Sequence, residues 1–343
     1  MDQLRKLQKV GYSSLSVSIP KEYARELKLE KGDSVLLRAE ADGTLRLIPS
    51  TGAEKPSRAT IRVEQVRSGE MLVRLMVGAY ALGYDSVEVV GKEPLDRETS
   101  ELVVRTIKRL MGLEVVESDR RRIVGQSFTD PTKFPVDSLI KRLQILVSQS
   151  LEDVVQALER DQAGHLKEVA AVQEEVDELY WLILRQLLVA LSRRELAAEI
   201  GIESPLHASG DRVSAKALDE IGNIVKGMAE ELSHLKEKGT AIDPVAAEKV
   251  MRLAKKAGEA FSTTMEGFLT PDVGLIEASA SLVDETLQLE KQVAQEMLEK
   301  REYGYARVLV SHLGQLTRYC NIIIEIASHR LLRKTSRVAT IQQ

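Results

Sequence analysis

The sequence contains little of what several classes of protein require. Its one cysteine, Cys320, excludes a disulfide framework and a cysteine-rich zinc site. Aromatic residues make up only 4% of the chain, which disfavours a stacking platform for single-stranded nucleic acid. The most apolar stretch, residues 179–191, is interrupted by Arg185 and Gln186 and is too short to span a bilayer. The N-terminus has no apolar signal core, so we expect a cytoplasmic protein.

Motifs of catalysis are also scarce. The chain has no glycine-rich phosphate loop, and its five histidines form no His-Glu-x-x-His pattern. The histidines are scattered at positions 165, 207, 234, 312 and 329. We therefore predict a non-enzymatic protein. The net charge of −4 shows that the chain as a whole is not a basic nucleic-acid binder, although a local basic face remains open.

Residues 1–50 have the pattern of strands around one short helix. Helical spacing over 21–29 follows a strand that ends at Pro20, and residues 34–38 and 44–48 are typical of a hairpin closed at 41–43. A segment this short and strand-rich cannot close a core alone. It is therefore predicted to pair with a second copy of itself.

Residues 58–127 alternate between strand and helix patterns, which predicts a small α/β module. Strands are expected at 59–66 and 85–90, and helices at 69–82 and 98–111. Two short strands should follow, at 113–116 and 122–124.

From about Asp130 onward the apolar residues recur at helical spacing. Breaks in the pattern leave six helices in two sets of three, one over 132–238 and the other over 242–337. Residues 218–225 lie over 316–323 with four of the eight columns alike in type, which indicates a tandem repeat of three-helix units. The predicted fold is thus multidomain and mainly α after residue 130.

Two linked motifs in the first 50 residues carry a family resemblance. Ile19-Pro20-Lys21 leads into the short helix, and Leu29-x-x-Gly32-Asp33 opens the return hairpin. This segment resembles the AbrB/MazE/SpoVT DNA-binding domain. The resemblance implies half of a swapped-hairpin β-barrel that two chains complete, and hence a DNA-binding and dimerisation domain over residues 1–50.

The helical part resembles PhoU, a phosphate-uptake regulator built from two three-helix repeats. The resemblance rests on 173–177 and 284–288 in the second helices and on 219–223 and 317–321 in the third. PhoU proteins carry acid-x-x-x-acid pairs that hold iron or other hard cations, since a spacing of four places both carboxylates on one helical face. In this chain each pair has lost at least one acid to an amide or a threonine, so a solvated acidic face is favoured over a metal cluster. The candidate ligands of a weak divalent-cation or iron site are Asp177, Asp219, Asn223, Asp284 and Asn321. No cofactor is expected to be required.

The first 28 residues hold six Lys or Arg against three Asp or Glu. A two-chain barrel would double this positive charge on one face, where it would neutralise DNA phosphates. The predicted DNA-binding residues are Arg5, Lys6, Lys9, Ser13, Ser14, Lys21 and Arg25. Arginine suits base edges, and the serines would allow a close approach to phosphate. From charge alone, a solvated face of the barrel is an equal alternative.

The combination of these parts resembles archaeal PhoU-type regulators. It implies a homodimeric, non-enzymatic regulator of phosphate homeostasis and phosphate uptake that binds duplex DNA and a protein partner. The implied partner is the ATPase of a phosphate ABC transporter or another phosphate-signalling protein. A basic group at the end of the last helix either complements the helix dipole or docks that partner, and it comprises Arg330, Arg333, Lys334 and Arg337. Two alternatives stay open, an adaptor that uses residues 1–50 only to dimerise and a metal-binding PhoU-like protein.

Overall fold

The computed structural model describes residues 4–39, 43–49, 56–160, 166–239, 242–298 and 303–333. The chain divides into two compact units, Met1–Pro56 and Ser57–Gln343, and each is described by itself. Within the described residues, no helix combines the length and the apolar character needed to cross a bilayer.

The first unit is built from two hairpins and one short helix. Its elements are β1 (Gln8–Val10), β2 (Ser14–Ser16), α1 (Lys21–Glu26), β3 (Val35–Ala39) and β4 (Leu45–Pro49), with β1 antiparallel to β2 and β3 antiparallel to β4. The sequence predicts a strand that runs to Pro20, whereas the chain turns back after β1. Gly11 allows this turn because its φ is +68°, a value that residues with a Cβ rarely adopt. The β3–β4 hairpin is as predicted, and residues 41 and 42 of its closing turn lie outside the described residues.

The second unit begins with the α/β module. Its elements are β5 (Arg58–Arg62), α2 (Gly69–Ala81), β6 (Ser86–Val90), α3 (Arg97–Lys108), β7 (Leu113–Ser118) and β8 (Arg122–Ser127). The sheet has the strand order β5-β6-β8-β7, in which β5 and β6 are parallel and the other pairs antiparallel. The predicted alternation is confirmed. Met76, Tyr80, Val89 and Val103 are fully buried between the helices and the sheet.

Local signals place the ends of the module's helices. The side chains of Ser68 and Asp96 accept hydrogen bonds from the main-chain amides of Met71 and Thr99 and so cap α2 and α3. Two predicted elements are shorter than expected. Strand β5 gives way to a 3-10 turn at Val63–Gln65, and α3 stops at Lys108 rather than at residue 111.

The rest of the described chain is helical. The helices are α4 (Val136–Arg160), α5 (Leu166–Ser192), α6 (Arg194–Glu199), α7 (Pro205–Glu237), α8 (Pro244–Leu269), α9 (Val273–Leu298) and α10 (Gly304–Leu331). Six of them are long, as predicted, and the short α6 is additional. Two of the breaks in the helical pattern, near Gly164 and Gly239, include residues 161–165 and 240–241, which lie outside the described residues.

The long helices pack in two groups that share one core. Helices α4, α5 and α7 contact one another, as do α8, α9 and α10, and the pairs α7–α10 and α4–α8 join the groups. The α/β module packs on this bundle through α5. Arg185 donates hydrogen bonds to the main-chain carbonyls of Tyr80 and Tyr84, and Trp181 contacts the cores of both parts.

Candidate nucleic-acid interface and candidate metal centre

The predicted DNA-binding residues are all exposed in the first unit. Two precede β1, one lies on β1, one in the turn, one on β2 and two on α1, in the order Arg5, Lys6, Lys9, Ser13, Ser14, Lys21 and Arg25. Lys21 and Arg25 are four positions apart and therefore lie on one face of α1.

The β1–β2 register separates two members of this set. Lys9 is opposite Leu15, and Ser14 is opposite Val10. Because side chains alternate along a strand, Lys9 and Ser14 point to opposite faces of the hairpin. Lys9 and Ser14 therefore cannot both contact DNA that lies against one face of the hairpin.

The β3–β4 hairpin has one apolar face. The register pairs Leu37 with Leu47 and Ala39 with Leu45, which places these side chains together on one side, and Leu36 lies on the other. Leu37 and Leu45 remain 56% and 63% exposed. No residue between 4 and 49 whose exposure is described is buried. The hairpin thus presents an apolar surface that the described part of its own unit leaves uncovered.

The candidate metal ligand Asp177 lies on α5 and is already held by two neighbours. Gln173 Nε2 donates to Asp177 Oδ1 at 2.9 Å, and Arg109 Nη2 lies 3.4 Å from Asp177 Oδ2. The side-chain amide of Gln173 therefore acts as a hydrogen-bond donor to Asp177. A positively charged side chain from the α/β module completes its environment.

Asp219 faces α5 from helix α7 and has a cationic partner of its own. Lys216 Nζ lies 2.8 Å from Asp219 Oδ2 and 2.7 Å from Glu220 Oε1. Burial raises the pKa of the Asp219 carboxyl, and the negative charge of Asp177 adds to this effect against the attraction of Lys216. Asn223 donates to the main-chain carbonyl of Asp219 at 3.1 Å. The structure brings the first-repeat candidates together, but Lys216 supplies the positive charge that a bound cation would bring.

The candidates of the second repeat are not drawn together in the same way. Asp284 and Asn321 are both exposed, and no hydrogen bond joins them in the described part of the chain. Nearby acids pair with basic residues instead, Glu285 with Lys256 at 2.6 Å and Glu290 with Arg318 at 3.2 Å. These positions fit a solvated, ion-paired helix face.

A charged cluster with two buried members, His207 and Asp211, was missed by the sequence analysis. Asp137 of α4 and His207 and Asp211 of α7 place one ligand-type atom each within 4.8 Å of one another. His207 Nε2 faces Asp211 Oδ2 at 3.1 Å, without the alignment of a hydrogen bond. The spacing of four between His207 and Asp211 was visible in the sequence, but Asp137 comes from a distant helix.

Arg330 of α10 occupies this cluster. Its Nη2 atom donates to Asp211 Oδ1 at 2.7 Å and to Asp137 Oδ1 at 2.9 Å, and its guanidinium lies over the ring of Phe268. Burial opposes ionisation of Asp211, but the nearby His207 ring and the Arg330 guanidinium outweigh it and lower the pKa of the carboxyl. Because Arg330 already donates to both carboxylates, the cluster fits an ion-pair network better than a cation site.

The buried position of Arg330 corrects one interpretation of the sequence. The side chain is only 7% exposed, so it cannot belong to a basic docking patch at the end of α10. Burial lowers the pKa of the partly covered Arg333. Lys334 and Arg337 lie outside the described residues.

Comparison with known families and structures agrees with this architecture. Residues 8–55 match the model of the MazE family, described as antidote-toxin recognition, bacterial antitoxin. Residues 140–232 match the PhoU domain. No curated protein gives a significant match.

Two solved structures match part of this chain. PhoU from Pseudomonas aeruginosa has a TM-score of 0.51 at 18% identity, and the match covers 57% of this chain and 94% of that one. The phosphate transport system regulatory protein PhoU from Streptococcus pneumoniae has a TM-score of 0.47 at 14% identity, covering 57% and 92%. The chain therefore carries a MazE/AbrB-type domain at its N-terminus, a small α/β module, and a helical bundle that contains a PhoU domain.

Proposed function

We propose that this chain is a homodimeric, non-enzymatic regulator of phosphate homeostasis and uptake. Its N-terminal domain binds duplex DNA, and its PhoU-like bundle contacts a protein of phosphate transport or signalling. The observation that carries the proposal is the lack of any buried residue among those described between positions 4 and 49, next to exposed cations of the same unit.

The apolar face of the β3–β4 hairpin supports the homodimer. Fully burying a leucine side chain stabilises a fold by about 1.5–3 kcal/mol, and Leu37 and Leu45 both remain more than half exposed. A two-stranded hairpin with such a face is marginal by itself in water. A second copy of the domain supplies a matching apolar face through two-fold symmetry.

The distribution of charge supports DNA as the ligand. Six basic residues against three acidic ones precede residue 29, in a chain whose overall charge is −4. Joining two copies brings two such groups together and strengthens their attraction to phosphates. Since Lys9 and Ser14 point to opposite faces, we assign the DNA surface to the arginines and lysines rather than to all seven predicted residues.

The DNA role is tested with the Arg5→Ala, Lys9→Ala, Arg25→Ala triple variant of the full chain. Binding to duplex DNA from the chain's own upstream region should weaken, and the slope of log affinity against log salt should become shallower by about 1 for each phosphate that is no longer neutralised. The matched control replaces three exposed cations of the α/β module, Arg97, Lys108 and Arg121. If the triple variant binds DNA with undiminished affinity, the result favours an adaptor whose N-terminal domain serves only to dimerise.

The role in phosphate regulation rests on the PhoU domain at residues 140–232. Its partner is proposed to be the ATPase of a phosphate ABC transporter or another phosphate-signalling protein. Co-purification from native cells, followed by mass spectrometry of bound proteins and sequencing of bound DNA, tests the protein partner and the DNA ligand together. Recovery of neither a phosphate-system protein nor DNA would contradict the proposal.

Metal binding is at most a minor property in this proposal. Lys216 and Arg109 already lie beside the first-repeat carboxylates, so a cation would have to displace or repel them. Elemental analysis of the purified protein should therefore find less than one equivalent of iron or another metal per chain. A full equivalent would favour the metal-binding alternative.

A further inference from the structure

A cavity of about 620 Å³ lies where the α/β module meets the helical bundle. Helices α2 and α3 form two of its walls, and α5 forms the third. Its volume falls within the range of small-molecule sites, about 300–1,000 Å³. Val73, Val77, Leu102 and Leu110 give it apolar walls, and Trp181 of α5 closes one side.

Not all of the charged side chains at this cavity are paired with each other. Three arginines and three acids line it, and two pairs neutralise each other, Arg74 with Glu70 at 2.7 Å and Arg109 with Asp177 at 3.4 Å. Arg105 has no ion-pair partner among the described residues. Glu178 is the remaining acid, and burial raises the pKa of its carboxyl. The cavity thus offers one guanidinium to an anion and one carboxylate to a hydrogen-bond donor.

Gly78 is an independent sign that the cavity is kept open. It lies inside α2, where glycine is less favourable than alanine by about 0.5–1 kcal/mol, yet its φ is not positive. A Cβ at this position would meet nothing within 4 Å. Neither backbone conformation nor close packing therefore accounts for a glycine here, whereas its place on the cavity wall does.

We propose that this cavity binds a nucleoside monophosphate, with the phosphate at Arg105, the base against Trp181 and a hydroxyl or amino group at Glu178. A guanidinium matches the geometry of a phosphate through two parallel hydrogen bonds. An aromatic side chain beside apolar walls suits the face of a planar base. Inorganic phosphate alone would leave the apolar part of the cavity unfilled.

This site goes beyond the proposed regulation of DNA and partner binding. It uses none of the residues of the N-terminal unit, so its failure and the failure of the DNA role are separate results.

The cavity contains its own reporter. Trp181 is the one tryptophan of the chain, so intrinsic fluorescence excited at the tryptophan band reports on this wall alone. The full chain is titrated with AMP, GMP, CMP and UMP, and in parallel with adenosine and with inorganic phosphate. We expect saturable quenching by at least one monophosphate, with the nucleoside and the free phosphate at least tenfold weaker.

Two variants and one control test the assignment of residues. Arg105→Ala should raise the dissociation constant about tenfold to a hundredfold, since it removes a charged hydrogen-bond partner. Gly78→Leu should abolish quenching by filling the cavity, and leucine is a better helix former than glycine, so the fold should be retained. Arg97→Ala is the control, because Arg97 lies on the same helix, is exposed and does not line the cavity.

Three results would overturn the proposal. The first is the absence of saturable quenching by all four monophosphates. The second is unchanged affinity in Gly78→Leu protein that melts at the wild-type temperature. The third is an equal effect of Arg105→Ala and Arg97→Ala.

Discussion

The two β-containing regions of the chain bury their apolar residues in opposite ways. Residues 58–127 place Met76, Tyr80 and Val89 at 0% exposure between two helices and a four-stranded sheet. Residues 4–49 include the five-residue strands β3 and β4, yet Leu36, Leu37 and Leu45 stay more than half exposed. The difference is the covering layer, since the module has helices α2 and α3 on its sheet and α5 of the bundle packed against α2, whereas each N-terminal sheet has two strands and a bare face.

The α/β module is therefore stabilised by contacts within one chain, whereas the N-terminal unit is expected to be stabilised by association with a second chain. A core closed by one chain unfolds at a temperature independent of protein concentration. A core completed by a second copy follows mass action, so its stability rises with concentration. The following changes test that distinction, from the largest expected effect to the smallest.

Arg330→Ala should destabilise the second unit by about 3–5 kcal/mol, because it leaves the buried Asp211 carboxylate without its cation. Chemical denaturation monitored by circular dichroism gives the free energy of unfolding. Arg318→Ala is the matched control, since its pair with Glu290 is more exposed and should contribute about 0.2–1 kcal/mol. Equal losses in the two variants would contradict a stabilising role for the cluster.

Met76→Ala should lower the free energy of unfolding by about 2–5 kcal/mol, because it leaves a cavity in the closed core of the module. The loss should be the same at low and high protein concentration. Thermal melts over a hundredfold range of concentration measure this, and a concentration-dependent loss would place the module at an interface between chains.

Leu37→Gln should weaken dimerisation of the full chain by about one to two powers of ten, as expected when about 1.5–3 kcal/mol of apolar burial is removed from the interface. Leu36→Gln changes the same residue type on the same strand but on the opposite face, with a similar exposure of 52%. Analytical ultracentrifugation compares the two. If both variants dimerise like the wild type, the uncovered face of β3–β4 is not the interface.

A smaller effect on stability is expected at acid pH, where the Asp211 carboxyl becomes protonated. Its pKa in the folded protein is below the ordinary value of 3.8, so its stabilising contribution is complete above that pH and is lost as the pH falls through the folded value. The stability difference between wild type and Asp211→Asn should therefore narrow below about pH 4. A difference that stays constant from pH 6 to pH 3 would show that Asp211 is not held as a charged group.

Sequence patterns predicted the module and the long helices because their signals are local. The alternation of strand and helix patterns and the helical spacing of apolar residues can each be recognised within one or two helical turns. The glycines that follow α2 and α3, Gly83 and Gly112, have φ values of +88° and +74°. Cys320, which stands among apolar residues at helical spacing, is buried, and burial raises the pKa of its thiol to about 12. The two linked motifs at residues 19–33 likewise identified the N-terminal domain that the MazE match supports.

The charged cluster and the cavity could not be predicted in this way. Asp137, Asp211 and Arg330 lie on three helices that are far apart in sequence, and no single helix shows the pattern they form together. The same is true of Gly78 and Trp181, which line one cavity from different parts of the fold. The open space beside Gly78 is likewise visible only in the folded structure.

The contact between the α/β module and α5 has a consequence for how this unit can vary. Trp181 packs against both cores, and Arg185 donates to the main-chain carbonyls of Tyr80 in the last turn of α2 and of Tyr84 just after it. The carbonyls that Arg185 contacts are present whatever side chains stand at positions 80 and 84, whereas a replacement of Trp181 disturbs the packing of both cores. A chimera that exchanges the module should therefore also exchange the α5 that packs against it.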